Sequence, residues 1–68
     1  MRIINQDKTK SIEFENYDVS VDDNYIHASG MSNIMLGKYA TEERTSGVFD
    51  DIHKAYMAKI PVYIMPIS

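Results

Sequence analysis

The sequence predicts an α+β protein: four or five antiparallel strands in one sheet, one helix in the C-terminal half packed on it, and a short final strand. Three observations carry this. Up to Ala40 apolar and polar residues alternate with a period of two, from Thr41 the apolar spacing becomes three and four, and Pro61 ends that second pattern before a last apolar run. A chain of 68 residues has room for one hydrophobic core, so a single domain over 1–68 is expected.

The elements follow in order. Arg2 to Asn5 is a short β-branched run, and Ser11 to Glu15 alternates Ile12 and Phe14 with Glu13 and Glu15. The polar Gln6 to Lys10 between them makes the pair a hairpin. Tyr17, Val19 and Val21 alternate with Asp18, Ser20 and Asp22, and beyond the turn-forming Asp22-Asp23-Asn24 the pattern resumes at Tyr25 to Ser29. That is a second hairpin. After Gly30 and the polar Ser32-Asn33, Ile34 to Tyr39 reads as another strand, with Gly37 marking a bulge.

Thr41 has the side chain of a helix cap, and Glu42 and Glu43 set negative charge at the positive end of the helix dipole. Val48, Phe49, Ile52, Ala55 and Tyr56 then form one apolar stripe, which predicts a helix over about Thr41 to Lys59 lying on the sheet. Ser46-Gly47 is a poor helix interior, so the first turn is expected to fray or kink. The residue before Pro61 avoids the α region and ends the helix. Val62 to Met65 reads as a last strand or as a tail seeking a partner surface. The expected core is Ile3, Ile12, Phe14, Val19, Val21, Ile26, Ile34, Leu36, Val48, Ile52 and Tyr56.

Composition excludes several functions. There is no cysteine, which removes a disulfide framework and thiolate metal ligands. No apolar run suits a signal peptide or a membrane span, so a cytoplasmic protein without a membrane partner is expected. The net charge of −3 leaves little of the counterion-release term that drives nucleic-acid binding, and direct DNA or RNA binding is disfavoured. Asp50, Asp51 and His53 are the nearest candidate metal set. Asp50 and His53 share a helix face but Asp51 points elsewhere, and no second nearby His completes them, so no metal is expected. No serine has a G-x-S-x-G context, and the three glycines form no phosphate loop. The chain is therefore read as a non-enzyme with no catalytic residue and no cofactor.

What remains is binding. Glu13, Glu15, Asp18, Asp22 and Asp23 fall within eleven residues at positions expected to face away from the core, with Tyr25 beside them. Together they form the candidate surface for a basic partner, set against the plainer reading of a solvated face. Tyr63 and Met65, in the apolar tail, are the candidate oligomer contacts, because a marginal core and open sheet edges favour a homodimer.

The opening Met1-Arg2-Ile3-Ile4-Asn5-Gln6-Asp7 and the segment Gly37-Lys38-Tyr39-Ala40-Thr41-Glu42-Glu43-Arg44 resemble small proteins of phages and mobile elements in Firmicutes. In that group a strand ending in Tyr and a Ser/Thr-Glu-Glu cap lead into a helix. Here Thr45-Ser46-Gly47 follows, where those proteins continue with strong helix formers. The resemblance implies the β-then-helix layout and no catalytic residues. It also implies an anti-defence role, anti-CRISPR inhibition included, in which the chain covers a site on a larger host protein such as a nuclease. The alternatives are an oligomeric sponge for a small nucleotide signal, with Arg2, Lys38 or Arg44 on phosphate, and a structural or regulatory element protein.

Overall fold

A computed structural model describes all 68 residues. Asn5, buried at the end of the first strand, organises the first hairpin. Its side-chain oxygen accepts the backbone N–H groups of Thr9 and Lys10, both at 2.9 Å, and its amide donates to Thr9 Oγ1. The polar loop is thereby folded back, and β2 (Ser11–Glu13) pairs antiparallel with β1 (Arg2–Ile4), Ile3 opposite Ile12. A 3-10 turn follows at Phe14–Asn16, then β3 (Asp18–Asp22), β4 (Tyr25–Ser29) and β5 (Asn33–Lys38), an antiparallel meander. The helix α1 spans Glu42–Met57 and β6 spans Val62–Ile64.

The expected single antiparallel sheet is instead two sheets of three strands, β2-β1-β6 and β3-β4-β5. The break comes at Phe14. Rather than extending β2, Phe14 turns toward α1, where its ring meets His53 edge-on at 5.5 Å and Tyr56 at 5.0 Å. The second difference is that β6 lies parallel to β1, Ile3 beside Tyr63. Parallel neighbours need a long crossover, and here everything from Asn5 to Pro61 supplies it.

The helix is continuous through Ser46 and Gly47, where a frayed or kinked turn was expected. Two hydrogen bonds pin that turn: Arg44 N–H donates to Thr41 Oγ1 at 3.0 Å, and the buried Thr45 hydroxyl donates to the Thr41 carbonyl at 2.8 Å. At the other end Lys59 N–H bonds the Tyr56 carbonyl and Ile60 N–H the Ala55 carbonyl, both at 3.0 Å. This is a Schellman closure, and it puts Lys59 in the left-handed region at φ 60.

The buried core is Ile3, Ile12, Ile26, Ala28, Leu36, Tyr39, Val48, Ile52 and Met65, with Phe14, Val19 and Ile34 partly buried against it. Val21 and Tyr56 fall outside it, 36% and 42% exposed. Val21 sits near the end of an edge strand, and Tyr56 lies in the last helical turn with its ring packed on Phe14. Gly37 is needed where it stands, because a Cβ there would lie 2.8 Å from the Tyr39 hydroxyl. The bulge expected at Gly37 is one residue earlier: Ile26 pairs with Gly37 and His27 with Met35, leaving Leu36 unpaired and pointing into the core. No helix is long and apolar enough to cross a membrane.

Candidate protein-binding face

Alternation along β4 buries Ile26 and Ala28 and turns Tyr25, His27 and Ser29 outward. The register then sets three cross-strand rows on the outer face of the second sheet: Asp22, Tyr25 and Lys38; Ser20, His27 and Met35; Asp18, Ser29 and Asn33. The Tyr25 and His27 rings stack with centroids 5.8 Å apart and planes 27° from parallel. Lys38 Nζ stands over the Tyr25 ring, 5.4 Å from its centroid, which fixes a cation on one side of the stack. Met35 is half exposed beside His27. Next to Met35 and Lys38 a hollow of about 360 Å³ opens, lined also by Gln6, Asp7 and Ile67. The face is therefore graded, with acids along β3, aromatic and thioether surface in the middle, and a cation with a recess at β5.

The five acids expected to act together are divided between the sheets. Asp18 and Asp22 line β3, and Asp23 occupies the hairpin tip with φ 52. Glu13 ends β2 of the other sheet and takes an ion pair from Arg2 at 3.4 Å. Glu15, in the 3-10 turn, is held at 2.7 Å by the Met1 ammonium, whose hydrogen bond keeps the carboxyl below its ordinary value. Two of the five are thus engaged within the chain. Asp18, Asp22, Asp23 and Tyr25 remain on one surface.

The tail residues also separate. Met65, expected as an oligomer contact, is 1% exposed and belongs to the core, with its N–H donated to the Ile4 carbonyl at 3.0 Å. Tyr63 is half-buried on the inner face of β6, and its hydroxyl lies 3.4 Å from Asp51 of α1. Burial first, and the Asp51 carboxylate second, push the Tyr63 phenol up to about 12. His53 is committed as well: its Nδ1 is 2.9 Å from the Phe49 carbonyl and its ring packs on Phe49 and Phe14. The three cations considered for phosphate sit on separate elements, each with its own engagement. Arg2 donates to Ser11 and Glu13, Lys38 covers Tyr25, and Arg44 donates to the Ser68 carbonyl at 3.0 Å.

His27, Met35 and Lys38 were not among the residues expected to bind a protein. Alternation alone would have turned His27 outward with Tyr25, but the bulge at Leu36 shifts β5 by one residue, and only the register brings Met35 and Lys38 alongside. Comparison with protein-family models, with curated proteins and with solved structures finds no match.

Proposed function

We propose that this chain is a non-enzymatic protein-binding module that covers a surface of a larger protein, using the outer face of β3-β4-β5. The observation that carries the reading is the Tyr25–His27 stack, half-buried on the sheet face opposite the buried Ile26 and Ala28, between Met35 and Lys38 on one side and Asp22 on the other. Aromatic and thioether groups supply contact area at low entropic cost, and the flanking charges set orientation and partner choice. A partner with basic groups opposite Asp18, Asp22 and Asp23 and an acidic or carbonyl-rich patch opposite Lys38 is complementary to this grading.

The resemblance to phage and mobile-element proteins supports a specific setting for that binding. In it the chain is an anti-defence inhibitor, of which anti-CRISPR proteins are one kind, and its target is a host protein such as a nuclease. Affinity capture from a host lysate with three baits tests the proposal. A protein retained by the wild type and by Glu13→Lys, and lost with Tyr25→Ala/Met35→Ala, supports it. Equal retention by all three baits rejects the face.

A further inference from the structure

Two three-stranded sheets present four edges, and three of them are guarded. Along β5, Gln6 stands in for a neighbouring strand: its N–H donates to the Leu36 carbonyl at 2.7 Å, and its side-chain amide accepts from Lys38 N–H at 2.9 Å and donates to the Lys38 carbonyl at 3.0 Å. On β2 the Arg2 guanidinium donates to the Ser11 carbonyl at 3.1 Å. β3 carries Asp18 and Asp22, charges that oppose the approach of another strand. β6 has no such guard.

The hydrogen-bonding capacity of the β6 edge is sharply bounded. Arg2 N–H donates to the Pro61 carbonyl at 2.9 Å and Met65 N–H to the Ile4 carbonyl at 3.0 Å, so residues 61, 63 and 65 face β1. The N–H and C=O groups of Val62 and Ile64 therefore face outward. Beyond them, Ile60 N–H is spent on the Ala55 carbonyl, while Pro66 has no N–H and its carbonyl accepts from the Tyr39 hydroxyl at 2.9 Å. The open edge is two residues long.

We infer that β6 pairs antiparallel with β6 of a second copy, in a register centred on Tyr63. Val62 then lies opposite Ile64 of the partner subunit, and Ile64 opposite the partner's Val62. Both are hydrogen-bonded pairs, so this one two-fold arrangement satisfies the four outward N–H and C=O groups of Val62 and Ile64 on each copy. It also joins the two β2-β1-β6 sheets into one. The side chains agree with the backbone. Val62 and Ile64 are 43% and 55% exposed on the face they share with Ile4 and Arg2, so each meets an apolar partner across the seam. No acid lies on β6, and Arg2 is already paired with Glu13, so the seam sets no like charges together despite the net charge of −3. Two residues a side is far below the roughly 20–30 of a standard stable interface, so the dimer is weak and depends on concentration.

The chain has no cysteine, which makes a register-specific test clean. In the inferred pairing the Cα of Val62 lies about 5.5 Å from that of the partner's Ile64, within disulfide range, whereas two Val62 positions are offset beyond about 7 Å. Oxidising a mixture of Val62→Cys and Ile64→Cys chains should therefore link unlike chains in preference to like ones. Sedimentation from about 10 μM to about 1 mM should show the wild type dimerising, and Ile64→Lys weakening it about tenfold or more with an unchanged melting temperature. Random or like-with-like linkage overturns the register. A wild type that stays monomeric throughout overturns self-pairing and leaves the edge to an extended segment of some other protein.

Discussion

The side-chain amide of Gln6 meets the backbone of Lys38 as a neighbouring strand would, accepting its N–H at 2.9 Å and donating to its carbonyl at 3.0 Å. Gln6 follows β1 in the first sheet and Lys38 ends β5 in the second, so one residue ties the two sheets together. The same amide nitrogen lies 3.2 Å and 2.6 Å from the carbonyls of Pro66 and Ile67, which holds the C-terminal segment to the same point.

Gln6→Ala should therefore cost about 1–3 kcal/mol in urea unfolding, the net worth of two or so hydrogen bonds. Gln6→Glu should cost more at neutral pH, since it turns a carboxylate toward three carbonyl oxygens, and should recover part of the loss near pH ~4 as the carboxyl takes a proton. Equal effects of the two variants at neutral pH would show that the amide nitrogen contributes nothing.

The helix ends predict opposite signs. Lys59 pays for a left-handed backbone, φ 60, that glycine adopts freely, so Lys59→Gly should stabilise by about 0.5–1 kcal/mol despite the added freedom of the unfolded chain. Gly47 is exposed with nothing within 4 Å of an added Cβ, and Gly47→Ala should gain a similar amount. Thr41→Ala removes the cap that receives Arg44 N–H and should lose about 1 kcal/mol. Thermal melts of the three variants check all three signs.

Ile52 is fully buried on the helix stripe, and Ile52→Ala should destabilise by about 2–5 kcal/mol through lost burial and the cavity left behind. Unchanged denaturant midpoints would contradict this packing of α1.

Tyr63 makes the fold sensitive to alkali. Its phenol is raised from 10.0 to about 12 in the folded chain, so the neutral form is favoured by folding. That contribution is fully present below pH 10 and is lost as pH rises toward about 12. Tyr63→Phe should flatten stability against pH in that window, and Asp51→Asn should lower the phenol titration seen by ultraviolet absorbance, because the Asp51 charge and hydrogen bond are part of the shift.

The division of the acids separates binding from stability. Asp18→Lys/Asp22→Lys should slow association with a captured basic partner and weaken its salt dependence, with the fold intact. Glu13→Lys acts elsewhere, removing the Arg2 ion pair, and should leave the association rate unchanged. Stopped-flow binding at low and high salt distinguishes the two.

Local chemistry was legible in the residues. Period-two alternation identified both hairpins, Thr41 and the acidic pair after it marked the helix start, and the stripe from Val48 to Ile52 named the buried face. These signals are short-range, since each depends on neighbours within a turn or a hairpin. Alternation reports which side of a strand is buried but says nothing of which strand lies beside it. Only the tertiary structure decided that β6 runs parallel to β1, that Phe14 leaves its strand for the helix, and that Met65 fills the core while Val62 and Ile64 stay outside. The candidate face follows the same division. Asp22 and Tyr25 are neighbours across a hairpin and could be read together. His27, Met35 and Lys38 joined them through a pairing offset by the bulge at Leu36, a choice made by packing across strands that are distant along the chain.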